Sequence, residues 1–278
     1  MAGKQSRARR AKASQAKTPR VTPSLPTTSP FSHRRKLARA EMHIREVEAV
    51  IVNWAGNGYR ISEETDGNGT TTLFAEILKP LPDILPLVIG DALHCMRSSL
   101  DQLIFSLAMD NCPGLTPEQQ GGTSFPIKDD AINPTNLPGG IAHIKRVAQI
   151  DVIDLGPDPK RQALDQDALW LLNKVENRDK HRDVLVTTAV AGLDTYCLIQ
   201  SDGTDFFRIF GPKADFNAGR VRVCEFRRSP GVKAQISLSC EARFDPSTEV
   251  KNRVVIETLW WMHDHIRDTV FQRLEQHF

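Results

Sequence analysis

The chain has 278 residues and carries 36 Lys or Arg against 34 Asp or Glu, and its body of about 240 residues is large enough for one sizeable core or two small ones. No apolar run approaches the roughly 18 residues that a membrane-spanning helix needs, and no signal-peptide core follows the first Met. The five cysteines are widely spaced and form no C-x-x-C pair, which indicates buried thiols in a reducing compartment. We therefore expect a cytoplasmic protein with no membrane partner, no metal and no cofactor.

Charge divides the chain into a basic arm and an acidic body. The first 40 residues contain eleven Lys or Arg and no acid, which leaves 25 basic against 34 acidic residues in the remainder. Up to residue 30 the arm is mostly Ala, Ser, Thr and Pro, so it has little apolar surface to bury, and residues 1–36 are predicted to be disordered. Three interpretations stay open, in decreasing order of preference: a solubilising extension, a phosphate-binding arm and an organelle transit peptide.

The first half of the body predicts two long helices with a hairpin between them. Apolar residues spaced by three and four over 37–54 indicate a helix that Gly56 and Gly58 end. Strands at 59–64 and 71–78 flank an Asp-Gly-Asn-Gly turn. A proline-rich break then precedes a long helix over 83–110.

The second half predicts helices, then strands, then one more helix. Residues 111–140 are rich in Gly, Pro, Asn and Thr and indicate a loop with an apolar plug at 125–127, and helices are expected at 141–150 and 160–187. Four segments have strand patterns and predict an antiparallel meander: 195–200, 206–210, 220–226 and 234–244.

A long C-terminal helix completes the predicted fold. Asp245 is the expected N-cap and Pro246 the first helical residue, and an apolar seam runs from Val255 to Leu274. The predicted class is α+β, a bundle of about four long helices with an N-terminal hairpin and a β-meander inserted at about 193–244, all in one domain over 37–278. We also expect a homodimer through the C-terminal helix.

Two predicted helices carry polar residues in unusual positions. Asp91, His94, Ser98 and Asp101 are spaced i, i+3, i+7 and i+10, so they share one face of the helix at 83–110. In the helix at 160–187, apolar residues are spaced by three and four. The same spacing places two arginines, Arg178 and Arg182, where further apolar residues are expected. Because buried charge must be paired, we predict that the two helices meet and that Asp91 and Asp101 pair with these two arginines.

Four short blocks occur in a fixed order along the body: GDALH at 90–94, RSSLDQL at 97–103, FPI at 125–127 and NRDKHR at 177–182. In this combination the chain resembles a family of uncharacterised bacterial proteins. More distantly, the helical segments at 97–101 and 178–181 resemble the HEPN superfamily, which includes metal-independent ribonucleases that act as dimers. The motif of that superfamily has an Arg, a polar residue, and a His four to six residues further on, whereas two residues separate Arg178 from His181.

The polar residues allow three functions. The preferred interpretation is a non-catalytic structural or interaction protein, in which these side chains form a satisfied polar layer between helices. The alternative, a HEPN-like ribonuclease or RNA-binding protein, would use His181 as the base and Arg178 and Arg182 to hold the phosphate. The third is a pocket for an anionic ligand or nucleic acid. The candidate catalytic residues are therefore Arg178 and His181, and the candidate binding residues are Asp91, His94, Arg97, Asp101, Asn177 and Arg182.

Overall fold

The structure is a computed structural model, and its described residues form helices and antiparallel sheets, which confirms the α+β class. The described residues are 32–111, 114–127, 167–179, 186–194, 207–209, 219–227, 237–245, 247–250 and 253–278. The predicted arm up to residue 30, the helix at 141–150 and the strand at 195–200 lie outside them.

Two long helices form the centre of the fold. α1 spans Ser32–Ala55 and α2 spans Ile84–Asn111, and the two pack against each other. Both predicted helices are confirmed, and Pro86 lies in the first turn of α2, where its missing N–H has no cost. α1 begins earlier than predicted, so residues 32–36 belong to the helix and not to the arm.

A hairpin separates α1 from α2. β1 (Tyr59–Thr65) and β2 (Thr70–Ile77) pair antiparallel, and Asp66 Oδ1 accepts hydrogen bonds from the N–H groups of Asn68 and Thr70 in the turn between them. Gly69 has a φ of 80°, which favours glycine.

The hairpin continues into a sheet with strands from much later in the chain. β2 pairs antiparallel with β5 (Arg220–Arg227), which pairs with β4 (Phe207–Ile209), so the strand order is β1-β2-β5-β4. The predicted pairing of neighbouring strands holds for β4 and β5, but a single four-stranded meander is wrong, because β5 also pairs with β2 of the N-terminal hairpin and the strand predicted at 234–244 belongs to another sheet.

The other two described strands form their own ladder. β3 (Val186–Asp194) pairs antiparallel with β6 (Ser237–Phe244). The predicted helix at 160–187 is correspondingly shorter, since α4 spans Ala168–Asp179 and residues 186 and 187 belong to β3. α4 begins there because Asp167 Oδ1 accepts hydrogen bonds from the N–H groups of Leu169 and Trp170, as an N-cap does. Between α2 and β3 the structure also has a short helix, α3 (Pro117–Gly121), capped by Thr116.

The C-terminal helix begins later than predicted. α5 spans Val255–His265 and continues as a π-helix over Ile266–Phe271, a further helical turn, Gln272–Leu274, and a 3₁₀ turn, Glu275–His277. Asp245 is not its N-cap. Its carboxylate instead accepts a hydrogen bond from the Ser247 N–H and closes a separate turn before the helix.

The helices share one apolar core. The seam of α5 and the π-helix is buried, and it packs in the same cluster as the buried sides of α1, α2 and α4. Within the described ranges, no helix combines the length and the apolar composition needed to cross a membrane.

The junction between α1 and the hairpin generates the first prediction. A Cβ on Gly58 would lie 2.4 Å from the indole ring of Trp54, and this ring cannot easily move because it is buried and its Nε1 donates to the Lys79 carbonyl at 3.0 Å. We expect Gly58→Ala to lower the free energy of unfolding by about 1–3 kcal/mol in chemical denaturation, as overpacking does. Gly67→Ala is the control, because nothing lies within 4 Å of that position. Equal losses for the two variants would contradict the prediction.

Candidate functional site

The polar line of α2 lies along the side of the helix that the core leaves uncovered. Asp91 and His94 are exposed, and Ser98 and Asp101 are partly buried. The rest of α2 is buried almost all round. The line is therefore not an interruption of the core, as its spacing had suggested, but a partly solvated face next to it.

Arg97 and Asp101 together hold the backbone of Phe125. Nη2 of Arg97 donates to the Phe125 carbonyl at 2.8 Å, and Oδ1 of Asp101 accepts from the Phe125 N–H at 2.8 Å. The two side chains also pair with each other, since Nη2 of Arg97 lies 3.1 Å from Oδ1 of Asp101. One ion pair, four residues apart on one helix, thus satisfies both backbone groups of a residue in another segment. We call this arrangement the Phe125 clamp.

The clamp fixes a segment that closes the core. The side chains of Phe125 and Ile127 are buried, and Phe125 is among the largest fully buried side chains of the described residues. The predicted apolar plug at 125–127 is therefore confirmed. Because this segment lies outside any helix or strand, its backbone needs hydrogen-bond partners from side chains, and the clamp supplies them.

α2 and α4 approach each other closely beside the polar line. A Cβ on Gly90 would lie 2.6 Å from both carboxylate oxygens of Asp179, so only glycine fits there without a shift. One turn further along α2, Nδ1 of His94 lies 3.6 Å from Oε1 of Glu176. Glu176 is only 1% exposed, whereas the His94 side chain is 59% exposed. The polar line of α2 therefore contacts α4 at the pair His94 and Glu176.

Arg178 does not pair with the acids of α2. Its Nη1 donates to the Ser247 carbonyl at 3.4 Å and lies 4.0 Å from a carboxylate oxygen of Glu249. The predicted pairing of Asp101 with Arg178 is therefore wrong, because Arg97 and the Phe125 N–H already occupy the oxygens of Asp101. The positive charge of Arg178 also contributes to a lowered pKa of Asp245, although hydrogen bonds from Ser247 are the main cause.

Of the remaining predicted site residues, Asn177 is among the described residues, whereas His181 and Arg182 are not. Asn177 is exposed at the end of α4. His181 and Arg182 lie outside the described residues, so the candidate base and the second candidate guanidinium stay predictions. Among the described residues, no group of three His, Cys, Asp or Glu side chains could hold a metal ion.

Sequence reasoning missed partners that lie far away in the chain. Glu249 follows Arg178 by more than 70 residues, and no spacing rule connects them. The pairing of Arg97 with Asp101, by contrast, could have been found, since an Arg and an Asp four residues apart on a helix are neighbours. His33, which had been assigned to the arm, is buried in α1.

Comparisons of this chain with models of protein families, with curated proteins and with solved structures gave no match.

The Phe125 clamp generates the second prediction. Asp101→Asn keeps the shape of the side chain but removes the charge that Arg97 pairs with, so we expect the free energy of unfolding in urea to fall by about 1.5–3 kcal/mol. Asp91→Asn is the matched control on the same helix. Because Asp91 is exposed, that change should stay within about 0.5 kcal/mol of the unsubstituted protein. A loss at Asp101 no larger than the loss at Asp91 would show that the clamp adds no stability.

Proposed function

We propose that this protein is a non-catalytic structural or interaction protein, whose polar helix face ties segments of one chain together. The Phe125 clamp carries this proposal. Nη2 of Arg97 and both carboxylate oxygens of Asp101 are directed at partners within the chain. Nη1 of Arg97 has no hydrogen-bond partner among the described residues, but it is buried. A catalytic pair would instead need free donors or acceptors directed at a substrate.

The surroundings of Arg178 support the same proposal. Its side chain is 19% exposed, and its contacts go to a carbonyl and a carboxylate of the segment before α5. A guanidinium next to acidic groups binds a phosphate less readily, because the carboxylate competes for the same donors. In this proposal Arg178 fastens α4 to that segment.

The scaffold of the proposed protein is a bundle of four helices, α1, α2, α4 and α5, with the N-terminal hairpin at one end. The packing of these helices in one apolar cluster supports this finer description. The close approach of Asp179 to Gly90 supports a fixed register between α2 and α4.

The second candidate function is RNA binding or metal-independent RNA cleavage, with the protein acting as a dimer. One observation favours it: Nε of Arg178 is buried and has no hydrogen-bond partner among the described residues. This N–H could donate to a phosphate that displaces the long contact to Ser247. In such a dimer the C-terminal helix would have to use its polar side, at Glu257, Arg267 and Asp268, since its apolar seam is buried within the chain.

A single substitution separates the two functions. We expect His181→Ala to lower the melting temperature, and we expect the unsubstituted protein to leave a mixed RNA substrate intact in the presence of EDTA. A thermal melt and a cleavage assay on the same preparations measure both. Cleavage that disappears in His181→Ala while the melting temperature stays unchanged would overturn the proposal and support the ribonuclease.

Arg178→Ala serves as the matched variant for binding. Fluorescence anisotropy of a labelled single-stranded RNA with the full chain measures affinity without requiring cleavage. If Arg178 only fastens α4, the substitution should lower stability and leave any RNA affinity unchanged. A loss of affinity with unchanged stability would support an RNA contact at Arg178, since a phosphate contact contributes directly to binding.

A further inference from the structure

A buried histidine stands at the start of α1. His33 precedes Leu37 by four residues, and it continues the apolar seam of the helix by one more turn. Its side chain is 1% exposed, although histidine is rarely buried without a partner. His33 is the second residue of α1, so it lies where the basic arm joins the body.

The partners of His33 all come from the last residues of the chain. Its Nε2 lies 2.7 Å from Oε1 of Glu275, its ring meets Phe271 edge to face at 5.0 Å, and it stacks on Phe278 at 5.9 Å. Arg34 binds the same carboxylate, with Nε donating to Oε1 of Glu275 at 2.7 Å and Nη2 donating to the other oxygen. We call these five residues the terminal latch, because they join the first turn of α1 to the end of the C-terminal helix.

The geometry indicates a neutral imidazole. Nδ1 of His33 is buried and has no hydrogen-bond partner among the described residues, whereas Nε2 has the carboxylate of Glu275. A neutral ring with its proton on Nε2 satisfies this environment, since Nδ1 then carries no hydrogen. A protonated ring would bury a second N–H with no acceptor among the described residues, and burial of such a donor is unfavourable.

The charged neighbours act in opposite directions on the same ring. Burial lowers the pKa of His33, the hydrogen bond and the negative charge of Glu275 raise it, and the positive charge of Arg34 lowers it, so that the pKa lies below the ordinary value of 6.5. Burial raises the pKa of Glu275, but the hydrogen bonds from Arg34 and His33 together outweigh burial and lower it. Glu275 therefore stays ionised while His33 stays neutral.

The C-terminal side of the latch has an unusual backbone. Phe271 is the last residue of the π-helix, Ile266–Phe271. π-Helices are rare, usually occur as single turns within α-helices, and often mark functional sites. Conversion of such a turn to an α-helix changes the rotation of every later residue about the helix axis, so Phe271 and Glu275 could leave His33 together.

From this arrangement we propose that the terminal latch is an acid-operated release. Protonation of His33 detaches the 3₁₀ turn, with Phe278, from the first turn of α1 and exposes the aromatic surface at the root of the basic arm. The inference does not depend on whether the protein binds RNA or acts only as a scaffold.

The direction of the pH effect follows from proton binding. In the released state His33 is exposed to solvent and binds a proton with an ordinary pKa, whereas in the latched state the pKa is lower. Release is therefore coupled to uptake of a proton by His33 at pH values between its pKa in the latched state and its pKa in the released state. The latch is most stable above pH 6.5, and it weakens as the pH falls, by up to about tenfold in the release equilibrium for each pH unit in that window.

Hydrogen–deuterium exchange on the full chain tests the release. Protection of residues 272–278, corrected for the intrinsic exchange rate at each pH, should fall by up to about tenfold per unit as the pH is lowered below 6.5. His33→Phe keeps an aromatic ring against Phe271 but cannot titrate. In this variant the protection of residues 272–278 should therefore not change with pH. His277→Gln is the matched control in the same turn, and it should keep the behaviour of the unsubstituted protein.

Two results would overturn the proposal: protection that does not change with pH in the unsubstituted protein, or the same pH dependence in His33→Phe. A second measurement needs no variant, in case His33→Phe does not fold. NMR of the His33 ring should give a pKa below 6.5, with a transition that coincides with the loss of protection. A pKa at or above 6.5 while residues 272–278 stay protected would equally overturn the proposal.

Discussion

The fold depends on the charged pair that α2, a helix buried almost all round, carries beside its partly solvated face. Arg97 and Asp101 bind the backbone of Phe125 while they pair with each other. A segment without regular hydrogen bonds is thereby held against the core, where its aromatic side chain is fully enclosed. The cost of desolvating the two charges is offset because each of them makes more than one hydrogen bond.

The sequence was sufficient to predict the elements whose structure is decided by residues close together in the chain. The seam of α1 has the spacing of an amphipathic helix, and the proline-rich break before α2 is a signal within a few residues. The apolar plug at Phe125 was also visible, since three consecutive apolar residues stood within a polar loop. In each of these, the residues that decide the structure are neighbours in the sequence.

The errors have a common physical cause, which is that pairing across long stretches of chain leaves no periodic signal. β5 pairs with β2, and Arg178 contacts Glu249, although nothing in the spacing of either segment indicates its partner. Asp245 was misassigned because an Asp before a Pro is equally suited to capping a helix and to closing a turn. His33 was missed because a cluster of basic residues around it suggested the arm, while its spacing to Leu37 indicated the seam of α1.

The order of strands in the larger sheet has a consequence for how the chain is made. β2 pairs on one side with β1 and on the other with β5, which follows it by more than 140 residues. Synthesis proceeds from the N-terminus, so the hairpin emerges long before the strand that covers its second edge. During that interval the open edge of β2 can pair with another chain. The nascent protein is therefore most prone to aggregate while its second half is still being synthesised, and high contact order of this kind also slows folding.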